Sequence, residues 1–429
     1  MSINARHIQM CMNLRFKGTI NSMFIHYFLI FLLIFTTAIV PATTDAVAED
    51  TPFGQASTYL RASNYQGYLS IANSEYKYMM DIPKNNEIIV AVIDDYMSSY
   101  HESLQGQYWV NTAEQNGATG VDDDGNGYVD DIHGWDFDGD QPYKIQFSSP
   151  HGNGVAGIIM GKSVTESNVY EHRIRGVNTD VKVMRIYQGD TVLSAANEAL
   201  AIRYAVDNGA KVINLSHGAF ENSNNDLLNA VTYAKTNGVF VVVAGPNSGS
   251  TSTLYIDQFD DVFAVARSSY TAGYGQDNGD IYRLTGVWHD KIDYCLPQKM
   301  KAISNSAANI GTSFSTPLLS GIIARLLMYD NTITHSQMRT ILDNNSITST
   351  GTDENGTAYT CNRPSAELLF KNYYGGQILR KSVKVQNPAG KDVIFNIETV
   401  LNSSGTAIRR EVRHVNSGKH RYWVNMDVN

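Results

Sequence analysis

Basic residues never gather in this chain. Its 33 Lys and Arg are outnumbered by 42 Asp and Glu, for a formal charge of −9, and no stretch offers the positive patch that a phosphate backbone needs. Nucleic acid is therefore not an expected partner. Cysteine is nearly absent. Of three, Cys11 falls in the N-terminal leader, which leaves Cys295 and Cys361. An even pair suits an oxidising compartment, either bridged or as two separately buried thiols. Internal repeats and low-complexity tracts are missing too.

Long apolar runs are lacking, save one. Arg6, Arg15 and Lys17 precede the 18 apolar-rich residues Met23–Val40, and Ala46-Val47-Ala48 forms a cleavage site before Glu49. This is the pattern of a secretory signal over residues 1–48, with a long charged front. The run is also just long enough for an uncleaved membrane anchor. Either way the body of the protein is expected outside the cytoplasm, secreted or periplasmic, with a membrane as partner only if the leader stays.

The remaining chain has room for one large domain with appendages. Residues 49–84 are polar and aromatic with little periodicity and read as a lead-in. From 85 to 374 the pattern becomes regular. IIVAVI (88–93), VKVMRIY (181–187), KVINLS (211–216), VFVVVAG (239–245) and DVFAVA (261–266) are short apolar strands. Between them Ala195, Ala199, Ile202 and Val206 mark one helix face, and Leu227, Val231 and Ala234 another, with Gly209 and Gly238 as stops. Alternating strands and helices on short connections predict an α/β fold: a doubly wound, mostly parallel sheet with helices on both faces. Residues 375–429 change texture. RKSVKVQNP, KDVIFNIETV, IRREVRHV and RYWVNMDV alternate apolar and polar residues, which predicts a small C-terminal β-rich extension.

Three residue types in this frame carry chemistry. Asp94 stands at the carboxyl end of an apolar strand, where ligands gather in parallel sheets. His151 opens HGNGVAGIIMGK, whose Gly154, Gly157 and Gly161 would leave a bare stripe for close helix packing. Ser313 lies at the mouth of TSFSTPLLSGIIARLLM, a helix apolar on nearly every face and hence expected inside the domain. Ser313 and Thr316 are expected at capping positions, with Pro317 in the first turn. Each residue alone has a plain structural reading. Together an acid, a histidine and a serine are the parts of an Asp–His–Ser triad, because a serine hydroxyl needs a base before it can attack.

The stretch 117–140 is the most acidic. Asp122, Asp124, Asn126 and Asp130 fall at positions 1, 3, 5 and 9 of a calcium loop of the EF-hand type, with Gly127 at the sixth. The twelfth position is His133 where the bidentate Glu belongs. Structural calcium is one reading; an Asp/Gly-rich turn series capped by its own side chains is the other.

The local strings resemble one family. IIVAVIDD is similar to the Asp motif of the subtilases, HGNGVAG to their His motif (commonly HGTHVAG), and GTSFSTP to their Ser motif (commonly GTSMATP). AIRYAVDNGAKVINLSHG resembles the family's helix and substrate-binding strand, and VVVAGPNSG its oxyanion-asparagine turn. VDDDGNGYVDDIHGWDF also occurs in many secreted bacterial subtilases. The resemblance spans roughly residues 85–370 with the motifs in order. It implies a secreted serine endopeptidase of subtilisin-like fold that works through an acyl-enzyme and needs no cofactor. Asp94 would orient, His151 act as base and then acid, and Ser313 attack. Asn247 with the Ser313 N–H would form the oxyanion hole. Ser216, His217 and Gly218 would form the edge that pairs with an extended polypeptide substrate.

Departures from the family pattern bear on activity. Gly154 replaces the second His of HGTH, and Leu296-Pro297-Gln298 stands where Ala-Pro-Gly is common. His217 is polar where the family often has an apolar residue. Pro246 replaces the glycine before the oxyanion asparagine, and proline holds φ near −65°. A catalytically impaired subtilase acting as a binding protein is therefore the rival reading. Only about forty residues separate the cleavage site from Asp94, too few for the usual propeptide. An esterase is disfavoured, since no G-x-S-x-G elbow surrounds Ser313.

Overall fold

The computed structural model describes residues 75–98, 101–162, 176–189, 194–217, 225–247, 259–271, 281–284, 291–298, 311–352, 358–386, 392–415 and 423–426. The leader, most of the lead-in and Gly218 lie outside the described residues. Two compact units emerge, 52–378 with 400–408, and a smaller one that includes 379–399 and 409–429.

The larger unit is built on an 11-stranded sheet. Its centre runs β6 (Phe240–Ala244), β5 (Val212–Leu215), β1 (Ile89–Asp94) and β4 (Lys182–Tyr187), all parallel. β7 (Val262–Thr271) and β9 (Tyr294–Pro297) extend it in parallel beyond β6. The register pairs Asp94 with Tyr187 and Ile93 with Leu215. After β1 the chain crosses to β4 on one side, then returns past β1 to β5 on the other. Such a reversal leaves a crevice at the strand ends, and Asp94 is the last residue of β1.

Alternation along each strand divides the core into two layers. Val90, Val92, Val212, Phe240, Val242, Phe263 and Val265 face one cluster, together with helix Pro150–Met160 and helix Thr312–Tyr329. Ala91, Ile93, Ile213, Leu215, Val241, Val243 and Ala264 face the other, under helices Ala195–Asp207 and Asn225–Thr236. Side chains of consecutive strand residues point to opposite faces, so a strand buried on both sides must be apolar throughout. Each fully buried Val, Ile, Leu or Phe is worth about 1.5–3 kcal/mol.

Helix Thr312–Tyr329 is buried along almost its whole length. Even Arg325 is 3% exposed, held by Asp180 at 2.6 Å and by the carbonyl of Ile82 at 2.7 Å. The helix begins earlier than a cap at Ser313 or Thr316 would place it. Its cap is Gly311, with no side-chain capping bond, and Pro317 lies inside. Ser313 is thus in the first turn rather than before it.

Cys295 and Cys361 form a disulfide, Cα–Cα 5.9 Å, joining β9 to β11 (Ala358–Pro364) at their parallel contact. In the smaller unit β12 (Gln377–Gln386), β13 (Asp392–Leu401), β14 (Ala407–Val415) and β15 (Trp423–Met426) make a separate four-stranded sheet. Buried Glu398 on β13 is paired there with Arg380 at 3.2 Å and Arg409 at 3.9 Å.

Candidate active site

Asp94 and His151 meet at the carboxyl end of β1. Asp94 is 2% exposed, and its Oδ1 lies 2.7 Å from His151 Nδ1 while also accepting the Asp95 N–H at 2.8 Å. A carboxylate on Nδ1 leaves Nε2 as the free nitrogen of the ring. Burial alone would lower the imidazole pKa. The charge and hydrogen bond of Asp94, with the charge of Asp95, outweigh it and hold the pKa above the ordinary histidine value.

The local fold places His151 at the start of its helix. Ser149 is the cap and accepts the His151 N–H at 3.2 Å, and Pro150 fills the first helical position, where a missing N–H costs nothing. Gly152 is tightly placed: a Cβ there would lie 2.4 Å from the Asp95 carbonyl oxygen. Asn153 accepts the Ser98 N–H at 2.8 Å, which ties the helix to the segment after β1.

Ser313 approaches from helix Thr312–Tyr329, which packs on helix Pro150–Met160. The ring of Phe314 lies 5.3 Å from that of His151, centroid to centroid. Ser313 is half-buried and donates no side-chain hydrogen bond to His151 in this geometry. Its carbonyl would normally receive the N–H four residues on, but that residue is Pro317. Ser216 takes the place, donating its hydroxyl at 2.9 Å. Ser216 is in turn braced by Asn214 Nδ2 at 2.9 Å, and Asn214 Oδ1 accepts from Ser320 at 2.8 Å.

Asn247 comes to the same helix end. Its Oδ1 accepts from the Thr312 N–H at 2.9 Å and the Thr312 hydroxyl at 3.2 Å, which leaves Nδ2 free of that contact. The Asn247 carbonyl accepts from Arg267 at 2.7 Å. Gly311 has φ +147°, and a Cβ there would sit 3.0 Å from Asn247 Oδ1, so glycine is needed for this approach. The Thr312 N–H is taken by Asn247 and that of Phe314 by the Gly311 carbonyl. The N–H of Ser313 stands between them.

His217 lies half-buried just past β5, its Nε2 3.2 Å from Glu198 Oε1 and its Nδ1 2.7 Å from Gln188 Nε2. Glu198 is completely buried in the first turn of helix Ala195–Asp207. Burial pushes its carboxyl above the usual range, and His217 pulls it partly back. Neither Glu198 nor Gln188 was legible from the sequence. Glu198 adjoins Ala199 on the apolar stripe, which was the available sign that it turns inward. Ser149 was better marked, as a serine before a proline.

The acidic loop is arranged differently from the calcium-loop spacing. Asp122 accepts the N–H groups of Asn126 and Gly127, Asp124 that of Asn126, and Asn126 Oδ1 that of Tyr128, all local turn contacts, while Asp130 reaches ten residues back to the Gly120 N–H. Asp124 also joins Glu114 and Asp131, with carboxylate oxygens within 4.8 Å of one another. Oxygen donors of this kind suit calcium. Every carboxylate oxygen of the three nevertheless accepts a hydrogen bond from the protein. Glu114 takes the N–H groups of Asp123, Asp124 and Asp130; Asp131 and Asp124 take Asn111, Asn126 and, for Asp131, Tyr204.

Comparison with known proteins shows what the chain is similar to. The chain is 29% identical over 266 residues to a thermophilic serine proteinase of Bacillus sp. (strain AK1), covering 61% of this chain and 58% of that protein. It is 26% identical over 278 residues to thermitase of Thermoactinomyces vulgaris, covering 63% of this chain and 86% of that one. Fervidolysin from Fervidobacterium pennivorans, described as a keratinolytic enzyme related to subtilisin, shares the fold at 20% identity. The TM-score is 0.50, with 87% of this chain and 58% of that chain covered. The model of the subtilase family matches residues 85–375, so the chain belongs to the subtilase family.

Proposed function

We propose that this protein is a serine endopeptidase that cleaves extended polypeptides through an acyl-enzyme. The observation that carries the reading is the 2.7 Å contact between Asp94 Oδ1 and His151 Nδ1, at a helix packed on the one that carries Ser313 in its first turn. His151 Nε2 takes the Ser313 proton as Oγ attacks the scissile carbonyl carbon. The carbonyl oxygen becomes an oxyanion facing the Ser313 N–H and Asn247 Nδ2, donors fixed before the reaction begins. Collapse expels the amine, which receives the proton from His151. Water then repeats the sequence and frees Ser313. Ser216 and His217, with Gly218, form the edge for the substrate backbone. The N-terminal pattern of the leader and the Cys295–Cys361 bridge support export from the cytoplasm. Among the described residues no helix is long and apolar enough to cross a membrane.

The acidic loop serves as a structural element, held by its own hydrogen bonds. Equal melting temperatures in chelator and in millimolar calcium are expected; a rise in calcium would assign an ion to Glu114, Asp124 and Asp131.

A fluorophosphonate probe tests the main reading. It should label the exported protein at Ser313, and Ser313→Ala should lose both labelling and peptide hydrolysis while staying folded. Hydrolysis retained by that variant would end the assignment.

A further inference from the structure

We infer that Asp95 is a positioning residue for His151, anchoring the start of its helix through Ser149 and standing as a second negative charge at the imidazole. The inference rests on the reading of His151 as the general base. Asp94 and Asp95 are neighbours in the chain but do different things. Asp94 is buried and touches the ring. Asp95 is half-buried, and its Oδ2 accepts the Ser149 hydroxyl at 2.8 Å. The same Ser149 oxygen accepts the His151 N–H at 3.2 Å, and the Ser149 N–H goes to the Tyr96 carbonyl at 2.8 Å. One side chain therefore caps the helix and is itself held by the strand end that carries Asp94. The Asp95 carbonyl closes the arrangement, because it leaves room only for a glycine at 152.

Charge adds to this clamp. Asp94, Asp95 and His151 each place a nitrogen or carboxylate oxygen within 4.8 Å of the other two. The charges acting on the ring are those of Asp94, the last residue of β1, and of Asp95 directly after it. The helix of Ser313 contributes the uncharged Phe314. Arg185 on β4 stacks on Tyr108 and Tyr143 instead, and burial keeps Tyr143 neutral by pushing its hydroxyl well up. An imidazolium that forms in the transition state is thus met by two carboxylates, one in contact and one brought near by its place next to Asp94 in the chain.

Two variants separate position from charge. Asp95→Asn keeps an oxygen for Ser149 and removes the charge. The titration midpoint of His151, followed by NMR of its ring protons in the full chain, should fall by about half a pH unit or more. The acid limb of kcat/KM should move down by the same amount. Ser149→Ala keeps the charge and removes the clamp; the midpoint should hold while kcat drops several-fold. An unshifted His151 midpoint in folded Asp95→Asn overturns the inference. Should that variant fail to fold, the unmodified protein carries the test: raising salt should lower the midpoint, since a charge not in contact is screened. A salt-independent midpoint would equally overturn it. The NMR midpoint reads the inference whether or not any peptide is cleaved, so it and the functional reading fail separately.

Discussion

The Ser216 hydroxyl donates to the carbonyl of Ser313 at 2.9 Å, in the place where a backbone N–H would normally stand. Pro317 makes that place available. A helix interior proline usually leaves an orphaned carbonyl; here the orphan is used to tie the candidate nucleophile to the strand proposed to hold substrate.

Removing this tie should be felt in stability and rate together. Ser216→Ala leaves a partly buried carbonyl without its donor, which costs about 1 kcal/mol. Pro317→Ala offers the helix its own N–H for the same carbonyl. Adding it to Ser216→Ala should therefore restore part of the lost stability, a coupling that urea unfolding of the four proteins in the cycle would read. Strict additivity would mean that the Ser313 carbonyl does not depend on Ser216.

Asn247 is expected to act on the transition state. Its Oδ1 is held by Thr312, so its Nδ2 is oriented without reorganisation during the reaction. Asn247→Ala should lower kcat by about 10²–10³ with little change in KM, a magnitude carried over from subtilisin itself. A kcat within a few-fold of the parent would show that Pro246 turns the amide away from the cleft.

Glu198 sets a different expectation, one of pH. Its folded pKa is raised by burial, so the folded state binds its proton more tightly than the unfolded chain does. Its contribution to stability is then greatest below the ordinary glutamate range and is lost as pH rises through the folded value. Glu198→Gln removes that loss. Relative to the parent, the variant should gain stability as pH increases from the ordinary glutamate range towards neutrality, as measured by denaturant unfolding at each pH. A relative loss over the same interval would instead identify Glu198 and His217 as an ion pair that holds the proton on His217.

Much of the fold is legible in the residue pattern. The apolar strands had to be buried on both faces, and they are, in two clusters that take alternate residues. The expected C-terminal strands appear as β12 to β15. The pair Cys295 and Cys361, open as bridge or thiols, is a bridge because β9 and β11 lie side by side. The start of the Ser313 helix differs from the capping pattern, since capping rules weigh a side chain against its own backbone and take no account of Ser216 or Asn247. The spacing of the acidic loop points to Asp122, Asp124, Asn126 and Asp130, which all accept N–H groups of the loop, and overlooks Glu114. That residue lies in the short helix Thr112–Asn116 and reaches three N–H groups of the loop from outside it.

What the sequence by itself determined was therefore local or periodic: which segments are strands, which helix must be buried, and which three residue types could work as a triad. These follow from side-chain period, helix capping and the chemistry of a hydroxyl that needs a base. Tertiary structure decided the rest, because it concerns groups far apart in the chain. Asp94 and His151 are 57 residues apart, and Ser216 and Ser313 are 97 apart. Only the return of the chain past β1 brings such ends together. Only the packed interior decides whether a carboxylate such as Glu198 loses its water and holds its proton.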